Sequence, residues 1–286
     1  NIFIGSGILV GPGIIAATAG NASFLAWPLV ALIYLPMVLS MVQLGGIFPQ
    51  GGGIYAYTKE SFGVFFGFLS MVFYLVGYTF AVAMEVLAFR STVLVNFGDN
   101  FLVNNVILFN IVTILVCMAL NVLSIKLLSK ILNFLTVTKI LPLVILIALL
   151  PFIINWNFSV TTAEVAALPG ALPLAMFGFL GFEYCSSLAP YIKDNATNGP
   201  RATMFAFAIT AVIYTLFHLG LLNVIGAQEL GNLGASCGSV YAQYLNLPIP
   251  FLKEFTLFII PIASVLAILA TGNGLLNSNV INMHMA

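Results

Sequence analysis

Residues 171–191 read ALPLAMFGFLGFEYCSSLAPY, and the fold turns on how this stretch is understood. It is apolar over the length of a bilayer crossing, since a hydrocarbon core of about 30 Å takes roughly 20 residues of helix. Yet Pro173, Gly178 and Gly181 lie within it, and Glu183 follows directly. Lipid cannot satisfy a bare peptide group, so a helix broken at that depth is tolerated only where the freed backbone lines a cavity. The stretch is therefore expected to be a discontinuous membrane span.

The rest of the chain fits that setting. Of 286 residues, 62% are hydrophobic and 6% charged, with eight basic side chains against eight acidic ones. The mean hydropathy is +1.15. A soluble domain gives about a quarter of its residues to charge, so this chain belongs in a lipid bilayer. Zero net charge and the lack of a basic run remove the electrostatic footprint of a nucleic-acid binder. Cys117, Cys185 and Cys237 are odd in number and in no CxxC or Cys/His spacing, so they indicate neither a disulfide framework nor a zinc site. They read as small core residues.

Eight stretches are long and apolar enough to cross, at approximately 1–20, 24–48, 64–95, 105–125, 129–154, 171–191, 203–226 and 254–280. The one long connection is 227–253, with Pro248 and Pro250. Cytoplasmic loops carry the excess of Lys and Arg. The connections after spans two, four and six hold Lys59, Lys126, Lys130, Lys193 and Arg201, whereas the others hold only Lys253. The N-terminal side is thus expected in the cytoplasm. The chain opens at Asn1 inside an apolar stretch with no charged n-region, unlike a signal peptide, and stops at Ala286 inside another. A fragment cut at both ends is expected.

Span one holds a second group of helix breakers, Gly5-Ser6-Gly7 followed by Gly11-Pro12-Gly13. Single glycines in spans commonly serve close helix packing, but two such clusters point to two broken helices, as transporters use at mid-membrane. Beyond the break in span one, a helix start would present amides around Gly7 and Ile8 and suit a carboxylate. Span six runs the other way, so its first half would end near Phe177 and Gly178 with carbonyls that suit an ammonium. The pair makes a receptor for a zwitterion such as an α-amino acid.

At these residues the chain resembles the amino acid–polyamine–organocation superfamily of transporters, specifically its amino acid permeases. IGSGI at 4–8 resembles the first-helix signature, FPQGGGIYAYTKESFG at 48–63 the segment at the inner end of helix two, and FGFLGFE at 177–183 the helix-six signature. KDNATNGPRAT at 193–203 resembles the short cytoplasmic link to helix seven. The resemblance implies an all-α multi-pass membrane protein with the leucine-transporter-like fold of two inverted repeats of five helices. Here it would be truncated to about eight helices, as a single domain with a first repeat at 1–154 and a partial second at 171–286. It implies a substrate site formed by Ile4, Gly5, Ser6, Gly7 and Ile8 with Phe177, Gly178 and Leu180, where Phe177 closes over the substrate. NGLLNSNVINMHMA at 273–286 departs from the family by lacking the Arg and the acidic residue that commonly follow helix eight.

Ionisable side chains inside spans are costly and usually functional. Lys139 lies about 15 Å into span five, where the cost of burying its charge makes it a candidate for exchanging a proton. The resemblance adds that sodium-independent members hold a lysine here where related carriers bind sodium, linking helices one and eight. Glu183 is placed by the resemblance in gating or coupling; alternatively it caps the amides of the inner half-helix. Glu85 in span three either attracts a cationic substrate or pairs with Lys139 or another span. Arg90 is expected to snorkel, His218 to be a hydrogen-bonded core histidine, and Trp27 and Trp156 to anchor span ends at the interface.

The leading expectation is a secondary carrier in the cell membrane that moves an amino acid by alternating access, either proton-coupled or an exchanger, and needs no cofactor. Spans one, two, six and seven would rock against three, four, eight and nine. The alternative is a polyamine or cationic amino acid antiporter, motivated by Glu85 and Glu183. Gly51-Gly52-Gly53 lacks the Gly-Lys-Ser/Thr of an ATP-binding loop, and the motifs of an intramembrane hydrolase are missing. A non-transporting sensor on the same fold would bind ligand without counterflow.

Overall fold

The structure is a computed structural model that describes residues 5–48, 53–123, 125–153, 159–187, 192–246 and 250–285. Among them are thirteen α-helices and no strand. They are α1 (Ser6–Ala19), α2 (Ala26–Ile47), α3 (Gly53–Phe62), α4 (Val64–Phe97), α5 (Phe101–Asn104), α6 (Val106–Val122) and α7 (Ile125–Ile153). The rest are α8 (Thr162–Gly178), α9 (Tyr184–Ser187), α10 (Asn195–Ile225), α11 (Ala227–Leu233), α12 (Cys237–Val240) and α13 (Pro250–Met285). The expected spans correspond, in order, to α1, α2, α4, α6, α7, α8, α10 and α13.

Two boundaries move for local reasons. Span six begins at Thr162, nine residues before the expected 171, because Thr161 and Glu164 form a capping box that satisfies the first amides of α8. The expected link at 193–203 is mostly the first turns of α10, entered through Asp194 in the left-handed region. Asn100 and Asn105 cap α5 and α6, accepting from Val103 N at 2.9 Å and Leu108 N at 3.0 Å.

The helices sort into two groups. α1 lies along α8, and α2 lies along α10 and touches α8; α13 packs on α4, α7 and α6, while α7 also reaches α10. Spans one, two, six and seven thus form one body and three, four, five and eight another. Their outward faces expose large apolar side chains such as Leu32, Phe65, Phe73, Phe80, Ile107 and Phe134. Such a surface suits hydrocarbon and not water, and the chain is a multi-pass membrane protein. Inside the second group, Asn121 of α6 donates to Asn273 of α13 at 2.8 Å, an interhelical bond made where lipid offers no competitor.

The two ends of the bundle differ. One, the basic end, gathers α3 with Lys59, α9, and the start of α10 with Lys193 and Arg201 nearby. At the other end Glu164 of α8 accepts from Asn21 N at 2.7 Å, fastening the 3-10 turn Gly20–Leu25 to α8. There the segment 227–246 lies across α1, with Cys237 Sγ 3.5 Å from the Leu9 carbonyl.

Candidate functional site at two helix ends

Span six is broken as expected. α8 ends at Gly178, the chain turns through 179–183, and α9 resumes at Tyr184. The turn is tight: Phe179 N donates to Met176 O at 3.1 Å and Leu180 N to Phe177 O at 3.2 Å. Gly181 has φ +103°, a conformation that side chains rarely adopt. In span one a helix starts at Ser6 behind Gly5, which offers no side-chain cap. Ile4 and the residues before it lie outside the described residues, as do 49–52 of the second signature. Gly11-Pro12-Gly13 does not interrupt α1, so only the first of the two glycine clusters marks a helix end.

The two ends meet. A methyl group on Gly7 would overlap the Gly178 Cα, so the backbones touch where α1 begins and α8 stops. Beside this crossing a cavity of about 20 Å³ is lined by Gly5, Gly7, Glu85, Phe177, Gly178 and Leu180, together with Ala81 of α4 and Thr271 and Leu275 of α13. That is room for a water-sized body. Ser6 is buried behind it, and Ile8 points into the main core instead.

Glu85 does something the sequence did not reveal. Its carboxylate accepts from Ser6 Oγ at 2.7 Å and lies 3.4 Å from Ser6 N through each oxygen. The side chain from span three therefore caps the helix start in span one, a favourable place for negative charge. Of the pairings open to Glu85, the structure shows one with span one, and Lys139 is near enough for electrostatic attraction. Lys139 is fully buried, with Nζ 3.5 Å from Thr271 Oγ1 on α13. A methyl on Gly5 would stand 2.6 Å from the same Thr271 oxygen, so Thr271 lies between Lys139 and the start of α1.

Two turns before Glu85 on α4, and so on the same face, Tyr78 donates from its hydroxyl to Glu183 Oε1. The other oxygen of Glu183 accepts from Gly181 N at 3.1 Å. Glu183 thus closes the turn in front of it, while Tyr78 ties the break in span six to α4. Sequence reasoning did not single out Tyr78 or Thr271, and it read Trp27 only as an interfacial anchor. Only Tyr78 carried a signal, its seven-residue spacing from Glu85.

The remaining expectations divide. Trp27 is not an interfacial anchor: it is fully buried against Gly178, because the start of α2 faces α8 and α10 and not lipid. Trp156 lies outside the described residues. His218 is a fully buried, hydrogen-bonded core histidine. Arg90 does more than snorkel, since its Nε donates to Val103 O at 2.7 Å and pins α5 to α4. Cys117 and Cys237 are buried; Cys185 is half-buried and lines a second cavity at the basic end with Tyr57, Glu183, Ser186 and Thr203. Burial raises the pKa of the Tyr57 hydroxyl and pushes the Cys237 thiol up to about 12.

Comparison with known proteins gives consistent results. The serine/threonine exchanger SteT of Bacillus subtilis (strain 168) is 26% identical over 248 residues, covering 85% of this chain and 56% of the relative. The glutamate/serine transporter AimA of the same organism is 26% identical over 254 residues, 80% of this chain and 46% of the relative. An aspartate-proton symporter of that strain is 27% identical over 242 residues, 79% and 46% respectively. The chain therefore spans about half the length of the curated relatives it matches. The profile of the family described as "Amino acid permease" matches residues 1–279. With that match running through the helix start at Ser6 and the break after Gly178, the chain belongs to the amino acid permease family.

Proposed function

We propose that this protein is a secondary carrier that moves a small α-amino acid across the cell membrane by alternating access. The observation that carries the reading is the crossing of Gly7 and Gly178 beside a cavity lined by both helix ends. Amides at the start of α1 suit the ligand's carboxylate, and carbonyls at the end of α8 suit its ammonium. The side chain then falls among Ala81, Phe177, Leu180 and Leu275, which favours a small uncharged group such as that of serine, the substrate named for two of the relatives. A ligand must push the walls apart, and the two-group packing supplies a way: α1, α2, α8 and α10 rock as one body against α4, α6 and α13. The basic end faces the cytoplasm. The first repeat covers 1–154, and 171–286 belongs to a second one.

Lys139 is the proposed proton-exchanging group, because a buried amine beside Thr271 connects span five to span eight and the start of span one. Glu183 and Tyr78 gate the passage from the central cavity toward the basic end, where Cys185 and Ser186 line the next cavity. The cationic reading is weaker than the sequence alone made it. Glu85 already has a buried amine, Lys139, near enough to attract its charge, and Glu183 lines the cavity at the basic end. Purified protein in liposomes, screened with labelled serine, glutamate, lysine and putrescine with and without a pH gradient, tests this. Serine uptake is expected; uptake restricted to lysine or putrescine would replace the reading with the cationic one, and binding without counterflow would make the protein a sensor.

A further inference from the structure

We propose that His218 is a positioning residue for the amino acid site, acting through Trp27. The inference rests on the reading of the helix interruption as that site. Trp27 Nε1 donates to His218 Nδ1 at 2.8 Å, and His218 Nε2 meets Ser23 Oγ at 3.0 Å. An indole nitrogen can only donate, so Nδ1 accepts, and a neutral imidazole then carries its proton on Nε2. The direction of the chain follows: Trp27 donates to His218, and His218 donates to Ser23. All three residues are fully buried.

The indole held in this way touches the interruption directly. A methyl on Gly178 would stand 2.8 Å from Trp27 Cζ3, and one on Gly11 3.3 Å from Cη2. Tyr214 closes the ring's edge at a centroid distance of 5.0 Å and an interplanar angle of 72°, and Phe179 lies at 6.2 Å. The ring is wedged between α1 and the last turn of α8. If it turns, it drives into Gly178 or leaves a void behind it, and either moves the end of α8, whose Phe177 and Gly178 line the cavity. His218 fixes the ring's torsion, so its contribution reaches the ligand although it lies on the far side of the indole.

The test uses the protein in liposomes with Trp156→Phe, which leaves Trp27 as the remaining tryptophan of this chain. His218→Leu removes the acceptor, whereas His218→Gln keeps an acceptor and a donor. The Leu variant is expected to blue-shift Trp27 emission and to raise KM for the transported amino acid about tenfold, the effect of one lost buried hydrogen bond, with a smaller change in kcat. The Gln variant is expected to restore both. Should the Leu variant fail to reach the membrane, His218→Asn, too short to reach the indole, takes its place with the same expectation. An unchanged KM without the acceptor, or equal losses in the Gln and Leu variants, overturns the proposal. If the unaltered protein carries no amino acid, the function fails separately, and emission that does not respond to His218→Leu overturns the positioning role by itself.

Discussion

Gly7 of α1 and Gly178 of α8 meet backbone to backbone, leaving no space for a side chain on the first. The contact joins two helix ends that lie far apart in sequence, and it places one helix start and one helix stop on the same small cavity. Packing, not hydrogen bonding, holds the pair. Its tolerance for added volume is therefore the first thing to probe.

Gly7→Ala forces the backbones apart and is expected to cost roughly 1–3 kcal/mol, the usual effect of overpacking, and to abolish uptake. Gly170→Ala is the internal control. A methyl there would stand 3.5 Å from Thr18 Cγ2 of α1, an ordinary contact between the same two helices, α1 and α8, and it should leave thermal stability equal or slightly raised. Thermal unfolding in detergent, with uptake in liposomes, checks both.

Removing the carboxylate that caps α1 should be more damaging than neutralising it. Glu85→Ala leaves the buried Ser6 N–H and O–H without their acceptor, at a cost of roughly 1–3 kcal/mol, and uptake is expected to be lost. Glu85→Gln keeps an acceptor toward Ser6 and should retain serine uptake at a reduced rate. Serine uptake lost equally in the two variants would show that charge, and not the cap, is what matters.

Lys139→Ala should abolish accumulation driven by an inward proton gradient while sparing exchange of internal for external amino acid. Parallel assays with and without the gradient separate the two. Unaltered gradient-driven uptake would remove Lys139 from coupling.

Thiol chemistry reports on burial. A thiol raised to about 12 stays protonated and unreactive near neutral pH, becoming thiolate only as the pH climbs toward that value. Maleimide at neutral pH is therefore expected to label Cys185, which lines the cavity at the basic end, and to spare Cys237. Peptide mapping after labelling reads the pattern.

Each of the eight apolar stretches read from hydropathy corresponds, in order, to a helix, and five described helical stretches are long and apolar enough to cross a membrane, because crossing length is a one-dimensional property. Hydropathy misplaced the start of span six, since the Thr161/Glu164 box that begins α8 sits in a polar segment that a hydropathy window excludes. Glycine and proline identified the break after Gly178, while in span one Gly5 stands at a helix end and α1 accommodates Gly11-Pro12-Gly13 within the helix. Partners were the least legible. Nothing local distinguishes a tryptophan at a span end that faces lipid from one, like Trp27, that faces α8 and α10. That Glu85 pairs with Ser6, 79 residues away, is likewise decided only when span three packs on span one.

Counterflow is the most direct measurement: liposomes loaded with unlabelled serine, an external trace of labelled serine, and the unaltered protein compared with Gly178→Leu, whose side chain would collide with Trp27 and Tyr214. Transient accumulation of label with the unaltered protein and none with the variant is predicted. Serine that binds without counterflow, or counterflow that survives Gly178→Leu, would contradict a carrier site built at the meeting of the two helix ends.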